Sequence, residues 1–284
     1  MIESFGARLR VAMDEVGPIC AGIDPHPALL AHWGLDETLQ GLETFAMTCV
    51  EAFAGTVAVV KPQSAFFERF GSAGVAVLER TLTALRELGT LSLLDVKRGD
   101  IGSTMAAYAQ AYLSQDSPLR ADAITVSPFL GFESLRPALD LARASGRGLF
   151  VLALTSNPEG AQVQHAVRDG RTVAAGIVEA VTHQNAPERR AGVLGSVGMV
   201  VGATVGDAVR RLGLDLAAAN APLLAPGVGA QGATTDDLRT VFGAALGNVL
   251  ASSSREILGA GPERAALKAA AQHTARQLKV KLRV

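Results

Sequence analysis

The sequence predicts a single (β/α)8 TIM barrel domain over residues 1–284, opened by an N-terminal helix, and three observations carry the prediction. Eight short apolar runs recur along the 284 residues, each ending in polar or turn residues. None of them alternates apolar with polar, which suits strands buried on both faces of a parallel sheet. Helical patterns fill the intervals, with no linker or low-complexity stretch between them. A doubly wound open sheet built from the same elements is the alternative. With 49% hydrophobic and 19% charged residues, the chain can bury a core of either size.

In order, Phe5, Leu9, Ala12, Met13 and Val16 fall on one helical face. Glu3, Arg8 and Arg10 interrupt that segment before an apolar run develops, which argues against a secretory leader. The runs follow as ICAGIDP (19–25), VAVVKP (57–62), LSLLDVK (91–97) and AITVSP (123–128), then LFVLALTS (149–156), GMVVGAT (198–204), PLLAPG (222–227) and NVLASSS (248–254). After the third run, Ile101, Met105, Tyr108 and Tyr112 recur at helical spacing, and after the fifth Val173, Ile177 and Val181 do so. The longest uninterrupted apolar stretch, LFVLAL, is far too short to cross a bilayer, so a cytoplasmic location is expected.

Composition excludes some partners. A formal net charge of -1, from 26 basic and 27 acidic residues, provides no global field for nucleic acid or an anionic membrane. Any anionic ligand must be caught locally. Cys20 and Cys49 stand in apolar surroundings without metal-ligand spacing and read as buried thiols.

In a barrel, the C-terminal ends of the strands converge on one mouth. Asp24 ends the first run, Lys61 the second, Asp95 and Lys97 the third, and Thr155 and Ser156 the fifth, while Arg255 follows the eighth. Each has a plainer reading alone: Asp24 before Pro25, and Ser156 before Asn157 and Pro158, are turn residues. Turns and caps do not, however, require two lysines at strand ends. The segment APGVGAQGATTDDL (225–238) opens a helix after the seventh run, where backbone N–H groups and the helix dipole favour an anion. Arg255 adds a guanidinium fork suited to phosphate, so a phosphorylated small substrate is expected. Its plainer reading is a solvated surface residue beside glycine turns.

With those residues placed, the chain resembles the orotidine 5′-phosphate decarboxylase family, in its longer bacterial branch. DVKRGDIGST (95–104) matches the family's Asp-x-Lys-x-x-Asp segment, VVKPQSAFFE carries the second-strand lysine, and LTSNPEGA and APGVGAQG match further strand ends. Ser254 before the arginine, and Pro62 and Gln63 after Lys61, depart from the usual small residues, and residues 163–173 have no counterpart. The resemblance implies a cofactor-free and metal-free decarboxylation of a nucleotide. Lys97, Asp95, Asp100 and Lys61 would form the catalytic array, with Lys97 stabilising and protonating a C6 carbanion. Asp24 and Lys61 would hold the ribose, Ser156 the pyrimidine, Pro226 and Gln231 the closing loop, and Arg255 the phosphate. The resemblance also implies a homodimer in which Asp100 and Thr104 reach the partner's site. The plainer reading of Asp100 is an N-cap. A Schiff-base aldolase on Lys97 or Lys61, a non-catalytic nucleotide-binding barrel and a magnesium-dependent sugar-phosphate decarboxylase are the rival readings.

Overall fold

A computed structural model describes residues 2–228 and 233–282. The eight runs form β1 (Ile19–Ile23), β2 (Val59–Pro62), β3 (Leu91–Arg98), β4 (Ala123–Val126), β5 (Gly148–Leu154), β6 (Val197–Val201), β7 (Leu223–Pro226) and β8 (Val249–Ser253). Each strand pairs in parallel with its sequence neighbours, and β8 returns to β1 with Cys20 opposite Ser252, closing the ring. Closure excludes the open sheet.

The strands read as continuous apolar runs because both of their faces are covered. Cys20, Val59, Leu93, Phe150, Leu224 and Leu250 fill the barrel interior. Their alternates, such as Ile19, Val60, Leu94 and Val151, face the surrounding helices. This is the period-two division a barrel strand imposes.

The predicted first helix spans Phe5–Val16, with the Ser4 hydroxyl accepting from the Ala7 N–H. It plugs the base of the barrel with Phe5, Leu9 and Met13. The Phe5 ring meets Phe150 edge to face, centroids 6.0 Å apart. Gly148 admits that ring, because a Cβ there would overlap it. Truncating so completely buried a ring to alanine costs about 3–5 kcal/mol.

One helical expectation needs adjustment. Helix Gly102–Leu113 buries Met105 and Tyr112, but Ile101 is its N-cap and stands 60% exposed, so it is not part of the inward face. Helix Val173–Gln184 buries Ile177 and Val181 as expected. Just before it, Val167–Arg168 and Arg171–Thr172 form an antiparallel hairpin. Its turn residues Asp169 and Gly170 both have positive φ, as a tight two-residue hairpin requires. No helix among the described residues is long and apolar enough to cross a membrane.

Candidate active site

The C-terminal ends of the strands enclose a cavity of about 970 Å³ whose wall includes Asp24, Lys61, Asp95, Lys97, Pro226 and Arg255. Six of the predicted site residues are thus brought together. At the cavity's inner end lies a chain of alternating charge. Asp24 leaves β1 with its Oδ1 buried, without a hydrogen-bond donor among the described residues, and 3.8 Å from the Lys61 ammonium. Lys61 Nζ donates to Asp95 Oδ2 at 3.2 Å and to Gln63 Oε1 at 3.2 Å. Lys97 Nζ donates to Asp95 Oδ1 at 2.5 Å.

Burial decides the electrostatics. Burial penalises the charge on Lys61, but Asp24 and Asp95 outweigh it and hold the ammonium above its ordinary range. Burial likewise works against the Asp95 carboxylate, while Lys61 and Lys97 outweigh it and hold the carboxyl below its ordinary range. Both groups are therefore ionised near neutral pH. Cys20, next to the array, is pushed up to about 12, chiefly by burial, and is inert as a nucleophile.

Local structure explains how β3 presents its two charges. Leu94 pairs with Ile124 and Arg98 with Val126, so three residues of β3 bulge opposite Thr125 of β4. Within the bulge Lys97 takes φ +45°, a conformation non-glycine residues seldom adopt. The Lys97 N–H, removed from the ladder, donates to Thr125 Oγ1 at 2.9 Å, and that hydroxyl donates to Asp95 Oδ1 at 2.8 Å. Past the bulge, Arg98 ties the strand end to Glu68, Nη2 to Oε1 at 2.6 Å. Gly22 is required beneath the mouth, because a Cβ there would overlap the Ser254 hydroxyl.

Other expectations fall outside this cavity. Ser156 is exposed and absent from the cavity wall. Gln164 binds the neighbouring Thr155 twice, accepting from its N–H at 2.9 Å and donating to its Oγ1 at 2.8 Å. Asp100 and Thr104 likewise lie outside the cavity of their own chain. Asp100 is not an N-cap: Ile101 is, and Asp100 Oδ1 accepts only from the Ile101 N–H, at 2.8 Å. Gln231 lies outside the described residues.

Thr234 and Asp237 form a capping box on helix Thr235–Phe242, and Asp236 joins Asp237 in its first turn. Two carboxylates there weaken the pull of that helix end on an anion, while part of the glycine-rich segment before it, residues 229–232, lies outside the described residues. Arg255 is the cation that remains at that end of the cavity, flanked by Ser252, Ser253 and Ser254. The Ser253 hydroxyl is buried without a partner among the described residues. Sequence reading missed Thr125, whose one signal is a polar residue inside an otherwise apolar run.

The geometry has counterparts among known proteins. Residues 17–270 match the family model described as orotidine 5′-phosphate decarboxylase / HUMPS family. An orotidine 5′-phosphate decarboxylase of Salinispora arenicola is 63% identical over 271 residues, 95% of each chain. That of Streptomyces coelicolor is 60% identical over 280 residues, 98% of each chain. A crystal structure from Streptomyces avermitilis, provisionally described as the same enzyme, superposes with a TM-score of 0.93 at 59% identity, over 99% of this chain and 96% of that one. The Leishmania donovani OMP decarboxylase structure gives 0.76 at 30% identity, over 98% and 99%.

Proposed function

The chain belongs to the orotidine 5′-phosphate decarboxylase / HUMPS family, and from that premise we infer that it converts orotidine 5′-monophosphate to uridine 5′-monophosphate and CO2 in pyrimidine synthesis. The observation that carries the reading is the Lys61–Asp95–Lys97 array, its first two members buried, in a cavity whose wall also holds Arg255.

The reaction leaves an electron pair in an sp² orbital at C6 that the ring delocalises poorly, so fixed positive charge must stabilise it. Lys97 supplies that charge. As the bond between C6 and the carboxylate breaks, the pair stays on C6, and Lys97 Nζ transfers a proton to it. Lysine then regains a proton from solvent, to which its half-exposed side chain has access. Asp95 faces the departing carboxylate, and two like charges about 4 Å apart cost about 4 kcal/mol at an effective dielectric of 20. That repulsion vanishes as neutral CO2 leaves.

Around this centre, the unpartnered Asp24 Oδ1 accepts from a ribose hydroxyl, and Lys61 assists. Arg255 anchors the phosphate, with Pro226 and Gln231 in the loop that closes over it. Ser156 takes the amide edge of the pyrimidine once its segment moves inward. A Schiff base on Lys61 is disfavoured, because a nucleophilic amine must be neutral and two carboxylates hold this one charged.

A homodimer completes the site. Asp100 and Thr104 stand beside Ile101, which is 60% exposed, and the same mouth exposes Phe129 at 76% and Leu130 at 54%. Apolar groups so exposed suit a second copy of the chain.

The test is an absorbance assay with orotidine monophosphate in excess chelator. Turnover under those conditions supports the metal-free reading and excludes the magnesium-dependent one. Absence of turnover by folded protein refutes it.

A further inference from the structure

We propose that Thr125 is a positioning residue that sets the catalytic pair: its hydroxyl holds the bulged backbone of Lys97 and fixes Asp95 as an ionised acceptor. The proposal rests on the decarboxylase reading and adds a residue to it.

The argument starts from hydrogen-bond directions. A threonine hydroxyl has one proton to donate and lone pairs to accept with. The Lys97 amide can only donate, so Thr125 Oγ1 must accept from it, at 2.9 Å. The hydroxyl proton is then free for Asp95 Oδ1, at 2.8 Å. A chain of two bonds thus runs from the Lys97 backbone through Thr125 into the carboxylate, each bond polarising the next. Thr125 is 1% exposed, so water does not replace it.

Position reinforces direction. Thr125 is the one β4 residue opposite the three-residue bulge of β3. Bulges redirect side chains beside functional sites, and their unpaired groups need another partner. Here the freed N–H belongs to Lys97, whose φ of +45° is uncommon for a side-chain-bearing residue. Conformations of that kind persist only where the surroundings over-determine them. Thr125 supplies the constraint and, through the same oxygen, donates to the carboxylate on which Lys97 Nζ rests. Orientation of lysine and aspartate is therefore coupled through one hydroxyl.

The test compares Thr125→Val, which removes the hydroxyl at nearly constant shape, with Thr125→Ser, which keeps it. In Thr125→Val, kcat should fall at least about tenfold while the dissociation constant for uridine monophosphate stays within about twofold. The acid limb of kcat should move to higher pH, because Asp95 loses a donor to its charged form. Thr125→Ser should recover most of the kcat and the native limb. In 15N-lysine-labelled protein, Lys97 amide protection from exchange should fall at least about tenfold in Thr125→Val, a readout independent of substrate. Native kcat with an unmoved limb overturns the proposal. So does a kcat loss matched by an equal loss of nucleotide-binding sites, which denotes misfolding alone. Should Thr125→Val not fold, Thr125→Ser decides: a displaced acid limb there overturns the proposal, and a native limb with a protected Lys97 amide supports it. Inactive native enzyme with a Thr125-dependent Lys97 amide would instead overturn the decarboxylase reading.

Discussion

Replacing Lys61 with methionine removes the cation between two carboxylates at nearly constant volume. Lys61 Nζ lies 3.2 Å from Asp95 and 3.8 Å from Asp24, its side chain only 7% exposed. At an effective dielectric of 20, those attractions are worth about 5 and about 4 kcal/mol. The removed ammonium no longer needs desolvation, which offsets part of the loss, and breaking a buried pair this way costs about 3–5 kcal/mol. At about 2 °C per kcal/mol for a chain of this length, the melting temperature at pH 7 should fall by roughly 6–10 °C.

The pH dependence supplies the sign. In the native protein the lowered Asp95 contributes stability that is present above its ordinary value near ~4 and lost as pH falls through its lowered one. The raised Lys61 contributes stability fully present below its ordinary value near ~10.4 and lost as pH rises through the raised one. Neither changes between pH 7 and pH 5. In Lys61→Met, Asp95 loses the stronger of the two lysines that hold its carboxyl low, so its carboxyl rises and the deficit should shrink as pH falls toward 5. Adding Asp24→Asn should return at least about half of the loss. Melting curves of the three proteins at both pH values measure this. A shift under about 2 °C, equal at pH 7 and pH 5, would refute the buried-array account.

Lys97→Ala should abolish turnover while uridine monophosphate still binds by calorimetry, because the proposed mechanism sets Lys97 at the bond that breaks and Arg255 at the distant phosphate. Arg255→Ala should show the opposite division, with weakened nucleotide binding and residual turnover at high substrate. Mixing inactive Lys97→Ala with inactive Asp100→Ala and allowing exchange should return about a quarter of native activity, since about half the dimers are mixed and each has one intact site of two. Activity that stays at the level of the separate variants, with exchange verified by mass spectrometry, would confine Asp100 to its own subunit.

All eight barrel strands are legible in the sequence because a strand buried on both faces is apolar through most of its length, and polar or turn residues mark its end. That logic also locates Asp24, Lys61, Asp95 and Lys97 on one cavity wall. It fails where position depends on a tertiary contact. Ser156 lies outside the cavity, beside a Thr155 that Gln164, eight residues beyond Ser156, binds twice. The capping box of Thr234 and Asp237 is readable as Thr-x-x-Asp, and with Asp236 it sets two carboxylates in the first turn of a helix whose preceding glycines suggest an anion site. Asp100 does not cap its helix because the chain needs one more extended residue, Ile101, before the first turn. The bulge opposite Thr125 leaves no mark in LLDVKRGD, since β3 carries the same residues with or without it.

The two lysines share a charge but not a situation, and the difference supports the roles proposed for them. Lys61 is 7% exposed at the side chain and shared between two carboxylates. Its loss of a proton would leave Asp24 buried without a cation among the described residues and Asp95 with Lys97 alone, so its charge is structural to the site. Lys97 is 47% exposed at the side chain and contacts one carboxylate. It can turn toward a reacting carbon, give up a proton and recover one from solvent without unsealing the array. Exchanging the pair's burial would disable both roles: a sealed Lys97 could not be reprotonated between turnovers, and an exposed Lys61 would let water screen the field around Asp95. A proton donor at the rim and a fixed counter-ion beneath it therefore belong to one arrangement. Asp95, held from both sides and by Thr125, keeps the donor and the counter-ion in register.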